Sequence, residues 1–280
     1  MRFGKSSTAS RRAFTKEQNV EHFEYHYPAT LGDALAKAHG EARFLAGGQS
    51  LLPSMKLGLA APDALVDLNS LKELRSISVE GDELVLGAMA THAAVAASDV
   101  VKKAIPGLAD LAGRIGDRQV RNRGTIGGSL ANNDPAACYP AALLGLGGTV
   151  VTDKRSIDGD AFFLGFYETA LQPGEMITSV RLKIPERAAY EKFRQPASRF
   201  SIVGVFVSKG KNGVRVAVTG AGPVAFRVAE IEAALATDWS QKAAASIKVS
   251  DEGLNSDLHG SAAYRAALIP VLAGRAVAKS

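Results

Sequence analysis

The sequence predicts an α+β fold in two parts, and three observations carry that prediction. As far as Pro185, short helix-like and strand-like stretches are mixed in no regular order. From about Tyr190 the pattern changes to three strand-like runs followed by helix-like ones, which suggests helices packed on one face of a sheet. The chain has 280 residues, 46% hydrophobic and 22% charged, enough for one large domain or two moderate ones. The boundary is expected between Pro185 and Tyr190. This gives parts 21–187 and 188–280 behind a basic tail, residues 1–20, that is expected to be disordered.

The elements follow in order. In "TLGDALAKAHG", Thr30 is placed to cap a helix whose apolar face is Leu31, Ala34, Leu35 and Ala38, with Gly40 as its stop. "ARFLAGG" reads as a short strand entering a glycine pair, and Leu65 to Leu68 as another strand. "ISVEGDELVLGA" is a hairpin, with Ile77/Val79 and Leu84/Leu86 flanking the Gly81-Asp82 turn. Thr91 can cap a helix through Val101, and Pro106 opens another ending near Gly116. An apolar helix runs from Tyr139 to about Leu146, then "GTVVTD" and "MITSVRLKIP" read as strands. In the second part "YEKFRQ", "SIVGVFVSKG" and "GVRVAVTGAG" are strands, the last two joined at Gly210 to Gly213. "FRVAEIEAALA" and "SAAYRAALIPVLAGRAVAK" are helices.

Charge and cysteine content exclude several classes. The net charge is +5, but Arg2, Lys5, Arg11, Arg12 and Lys16 precede the first acid, Glu17, and without them 28 bases face 28 acids. With no interleaving of cations and aromatics, nucleic acid is not an expected partner. No apolar run reaches the roughly 18 residues of a membrane span. "SRRAFTK" looks like a twin-arginine export signature, but the polar "EQNVEHFEYHYP" follows where an apolar segment is required. One cysteine, Cys138, allows no internal disulfide, which fits a reducing, cytoplasmic setting. It also leaves too few thiolates for an iron–sulfur cluster on this chain, and the five histidines have no metal-ligand spacing. No metal site is expected.

Two glycine segments remain. "FLAGGQSLLPSMK" and "RGTIGGSLANNDP" each place glycines after an apolar run and flank them with Ser or Thr. Successive residues without Cβ let backbone N–H groups converge, which favours an anion, and two such loops could cradle a pyrophosphate. Neither is a P-loop or a GxGxxG fingerprint. A structural Gly-Gly turn is the competing reading for each.

In "LAGGQSLLPSMKL", "LVDLNSL", "IGDRQVRNRGTIGGSLANNDPAACYPA", "TALQPGEMITSVRLKIP" and "SAAYRAAL" the chain resembles the FAD-binding medium subunits of the molybdenum hydroxylases, the xanthine dehydrogenase and carbon monoxide dehydrogenase family. The resemblance implies a two-part flavin domain of the p-cresol methylhydroxylase (PCMH) type and a smaller C-terminal α+β domain. It implies FAD held by Ala46, Gly47, Gly48, Gln49, Ser50 and Leu51 on one side and Thr125, Ile126, Gly127, Gly128 and Ser129 on the other. Asp134 is implied as a hydroxyl contact. Cys138 stands where the family usually has an acid, so that one hydrogen bond to a sugar hydroxyl is missing or moved to Asp134 or Asn133. Phe200 falls near the position of an aromatic beside the flavin, and Ile177 could line it; a core phenylalanine and a buried strand isoleucine are the competing readings. No residue is assigned a catalytic role toward substrate.

The implied assembly pairs this chain with a molybdenum-cofactor large subunit and a [2Fe–2S] small subunit, as a dimer of heterotrimers. Electrons pass from the small subunit to FAD and then to an external acceptor. A stand-alone flavin oxidase would need its own substrate pocket and usually a covalent-flavin histidine or cysteine, and no histidine is near either loop in sequence. A cofactor-less interaction subunit has only Cys138 in its favour.

Overall fold

The computed structural model describes residues 22–280, so the basic tail and its paired arginines lie outside the described residues. The fold is mixed α and β, as expected. A small parallel sheet of order β1-β3-β2 comprises β1 (Glu24–His26), β2 (Arg43–Leu45) and β3 (Ala64–Asp67), with α1 (Leu31–Ala36) and α2 (Leu51–Lys56) between its strands. Thr30 caps α1 as predicted, its hydroxyl accepting from the Asp33 amide at 3.1 Å. β1 and α2 were not foreseen. β1 is polar and gains its strand pairing only from Ala64–Val66 far along the chain.

The hairpin of β4 (Ile77–Glu80) and β5 (Glu83–Gly87) forms with the expected register, Ile77 opposite Leu86 and Val79 opposite Leu84, and Gly81 has a left-handed φ of +62°. The helix expected from Thr91 to Val101 is two: α3 (His92–Ala97) and α4 (Asp99–Ala104). Ser98 divides them because its hydroxyl accepts the Val101 amide and so caps the second helix. α5 (Pro106–Gly113) opens on Pro106 as read. Two further helices were not foreseen: α6 (Arg118–Arg123), capped by Asp117, leads into the second glycine segment, and α7 (Ile126–Asn132), capped by Thr125, lies within it.

α8 (Tyr139–Gly145) is buried along its whole length, as an all-apolar helix must be. It lies between two sheets. One is antiparallel, of order β4-β5-β10-β6-β7, completed by β6 (Thr149–Thr152), β7 (Ser156–Asp158) and, after the hairpin β8 (Phe163–Gly165) and β9 (Glu168–Thr169), by β10 (Ile177–Lys183). The other is the antiparallel meander β11 (Arg187–Arg194), β12 (Ser201–Gly210), β13 (Gly213–Thr219) and β14 (Phe226–Arg227).

The two faces of the meander belong to different cores. Tyr190 and Phe206 join α8 in the main core, while Val203, Val205 and Val207 pack with Ile231, Leu235, Ile269 and Leu272. The latter lie on α9 (Ala229–Thr237) and α11 (Ala262–Lys279), with the short, unforeseen α10 (Gln241–Ala245) beside them. Burial on both faces is why "SIVGVFVSKG" is apolar almost throughout instead of alternating.

Candidate functional site

The site is built from the first glycine segment outward. β2 delivers the chain to Ala46, and the turn that follows cannot accept side chains. A Cβ on Gly47 would lie 2.2 Å from the Arg123 carbonyl oxygen, and Gly48 has a left-handed φ of +70°. The first approach matters most, because it brings together two segments that are remote in sequence. Among the described residues, no hydrogen bond uses the amides of Gly47, Gly48, Gln49, Ser50 or Leu51. Five consecutive N–H groups are therefore left to one concave edge, an arrangement that suits an anion. The Gln49 side chain folds back to donate to the Gly47 carbonyl at 3.2 Å, and the Ser50 hydroxyl makes no capping bond.

The second segment contributes differently. The amides of Ile126 and Gly127 donate to the carbonyls of Ala90 and Ala88 at 3.1 and 2.9 Å, and the Gly128 amide donates to the Thr125 hydroxyl oxygen at 3.1 Å. These bonds fasten α7 to the stretch after β5. Glycine in a helix costs about 1 kcal/mol relative to alanine. At Gly127 it is required, because a Cβ would come within 2.6 Å of the Ala88 side chain. What this segment presents to open space is Thr125, Gly128 and Ser129, joined by Asn132 one turn on.

Between the segments lies a cavity of about 770 Å³, within the usual range for a cofactor-sized ligand. Its lining includes Ala46, Gly47, Gly48, Gln49, Ser50 and Leu51 from the first segment. From further along the chain Thr125, Gly128, Ser129, Asp134, Cys138 and Phe200 line it too. The structure does not place three named residues on that wall. Ile126 is in the main core, Gly127 is packed on Ala88, and Ile177 is a buried strand residue at a bulge opposite Thr152. Phe200 is half exposed at the cavity, so it is not a core phenylalanine.

Cys138 is buried at the wall in a polar cluster. The Lys192 ammonium donates to its Sγ at 3.5 Å and to the Arg199 carbonyl at 2.8 Å, and Ser201 Oγ lies 3.6 Å from the same sulfur. Asn133 cannot substitute for an acid at position 138 in binding a sugar hydroxyl: it is buried, and its amide group donates to the Gly165 and Glu168 carbonyls. Asp134 does line the cavity, with one carboxylate oxygen accepting from the Ala136 amide at 2.8 Å.

Sequence reasoning missed Lys192, His92, Asn132, Arg199 and the 171–175 turn, all of which line the cavity. No histidine is near a glycine segment in sequence, but folding brings His92 against the second one. His92 is 32 residues before Gly124 in sequence, yet a Cβ on Gly124 would meet its ring at 2.5 Å. Burial, helped by Arg121, lowers its pKa to about 4, so the imidazole is neutral at pH 7, and Nδ1 has no hydrogen-bond partner. Glu175 has the opposite environment. The Arg155 guanidinium foremost, with the Gln172 amide and the Thr152 hydroxyl, holds its carboxyl down at about 2. That cluster fixes the 171–175 wall.

Comparison with known proteins adds the following. A family model described as the FAD binding domain in molybdopterin dehydrogenase matches residues 21–186. The carbon monoxide dehydrogenase medium chain of Hydrogenophaga pseudoflava is 35% identical over 91% of this chain and 96% of its own length. The nicotine 6-hydroxylase medium subunit of Paenarthrobacter nicotinovorans is also 35% identical, over the same shares. Among solved structures, quinoline 2-oxidoreductase from Pseudomonas putida 86 superposes with a TM-score of 0.84 at 31% identity, covering 92% of this chain and 96% of that one.

Proposed function

Because this chain belongs to the family of FAD-binding domains of molybdopterin dehydrogenases, the FAD-carrying medium subunits of molybdenum hydroxylases, we propose that it is the electron-transfer subunit of such an enzyme. FAD bound here would take electrons from a [2Fe–2S] small subunit and release them to an external acceptor, while substrate is oxidised at molybdenum on a large subunit. A dimer of heterotrimers is the proposed assembly, with residues 21–187 as the flavin part and 188–280 as the smaller C-terminal part.

The single observation that carries the cofactor placement is the row of five unengaged amides from Gly47 to Leu51. In this reading they hold the diphosphate, and the absence of side chains lets it approach the backbone. Ser50, Ser129 and Asn132 offer polar groups for ribityl and ribose hydroxyls, and Asp134 offers a carboxylate oxygen. Ile126, Gly127 and Ile177 would then act behind the wall, by holding α7 and β10 in place. With neutral His92 and the Lys192 ammonium in the wall, the chain supplies orientation and a local field to the flavin. It supplies no acid or base toward the substrate.

The test is flavin release. Heat-denaturing the purified chain is expected to free FAD, not FMN, at close to one per chain, with Ser50→Ala and Ser129→Ala each weakening retention several-fold, as loss of one hydrogen bond of about 1 kcal/mol requires. A chain that purifies without flavin and takes up none on incubation with FAD would refute the reading.

A further inference from the structure

The "LVDLNSL" stretch lies outside the cavity wall, yet its polar side chains reach the first glycine segment. Asp67 is buried at the end of β3, and its Oδ1 accepts from the Asn69 amide at 2.8 Å and from Asn69 Nδ2 at 2.6 Å. The Tyr25 hydroxyl, on β1, donates to the other Asp67 oxygen at 2.6 Å. From another side Arg75 donates to Asn69 Oδ1 at 3.1 Å. With its oxygen on a guanidinium and its NH2 on a carboxylate, the Asn69 side chain has one orientation. In that orientation Nδ2 also donates to the Ala46 carbonyl at 3.2 Å.

The last bond matters because a peptide unit is planar and trans, so its C=O and N–H point in opposite directions. The Ala46 carbonyl and the Gly47 amide belong to one unit. With the oxygen held by Asn69, the Gly47 N–H is turned the other way. The next unit repeats the arrangement: the Gln49 side chain holds the Gly47 carbonyl at 3.2 Å and so turns the Gly48 N–H. Further along, the backbone does the same. The amides of Leu52 and Ser54 donate to the carbonyls of Gly48 and Ser50 at 3.3 and 3.1 Å, which fixes the units carrying the Gln49 and Leu51 N–H groups. Four of the five unengaged amides are therefore aimed by a bond to the oxygen behind them.

The choice of side chains for the first two units follows from glycine. Without a Cβ, Gly47 and Gly48 restrain φ and ψ weakly, so the units beside them turn over at little steric cost. A reversed unit would present a carbonyl oxygen to an anion in place of a donor. From Gly48 onward α2 supplies the restraint through its own first-turn bonds. Ahead of the helix it comes from Asn69 and Gln49.

We infer that Asn69 and Gln49 are positioning residues for the FAD diphosphate: each holds a peptide carbonyl so that the N–H of the same unit stays directed at phosphate oxygens. The inference rests on the function proposed above for its ligand. Asn69 acts only through the Ala46–Gly47 unit, while Asp67, Tyr25 and Arg75 keep its amide in place.

Fluorescence titration of the FAD-free, full-length chain with FAD tests it, with Asn69→Ala and Gln49→Ala beside the unaltered protein. Each substitution should weaken binding about tenfold, the equivalent of 1.4 kcal/mol. Phosphorus NMR at saturating FAD separates positioning from a general loosening of the cavity. Asn69 does not line the cavity, so a shift of the bound diphosphate resonances in Asn69→Ala, with the flavin absorption bands unchanged, reports redirected amides. Gln49 is exposed, so Gln49→Ala carries both measurements should Asn69→Ala fail to fold. Unchanged affinity in either folded variant, or weakened binding with unmoved phosphorus resonances, would overturn the inference. An unaltered chain that binds no FAD defeats the earlier reading, whereas equal binding by all three proteins defeats this inference alone.

Discussion

At the scale of single residues, burial decides chemistry. His92 has an ordinary imidazole, but its packing under Gly124 and against Tyr139, ring centroids 5.3 Å apart, holds its pKa at about 4. The consequence for stability has a definite sign. Between pH 6.5 and about 4 the unfolded chain takes up a proton that the folded chain refuses, so stability falls as the pH drops through that window. From pH 7 to 5 the expected loss from this residue is about 2 kcal/mol. Urea denaturation at the two pH values should show it, and His92→Gln should flatten the difference. An equal loss in the variant would assign the acid sensitivity elsewhere.

At the scale of elements, the cavity's outer wall depends on one buried carboxylate. Glu175 accepts from Arg155, Thr152 and the Gln172 amide, and so ties the 171–175 turn to the end of β6. Its carboxyl is depressed from the ordinary 4.5 to about 2, so this support is complete above pH 4.5 and fades as the pH falls toward 2. Glu175→Gln keeps the shape and removes the charge. We expect it to lower stability by about 2 kcal/mol at neutral pH, the scale of hydrogen bonds to a charged group, and to loosen FAD retention with it. Thermal melts and flavin release on the same variant check both, and an unchanged melt would show that the turn is held by other contacts.

At the scale of the molecule, the site exists because two segments 76 residues apart close on each other. The contact is backbone on backbone, Gly47 against Arg123 and Gly124. Gly47→Ala would place a methyl group 2.2 Å from a carbonyl oxygen that cannot rotate away. The chain is expected to fold with its hydrophobic cores intact but with the segments apart, retaining less than about a tenth of its FAD. Circular dichroism should change little while flavin content falls. Full FAD content in the variant would show that the two segments need not touch.

Much of this was legible in the order of residues. The α+β class, the 77–86 hairpin with its register, the buried α8 and the membership of the family follow from apolar periodicity, turn chemistry and motifs, which are local. The two glycine segments were legible as a pair, but not how they work. "RGTIGGSLANN" reads as a loop, because glycines forfeit helix propensity. Only contact with Ala88 and Ala90 shows why a helix there must do without side chains. Lys192 and His92 left no local signal at all. Their roles come from neighbours that the chain meets only on folding, and a charge or a neutral imidazole acquires its meaning from what surrounds it.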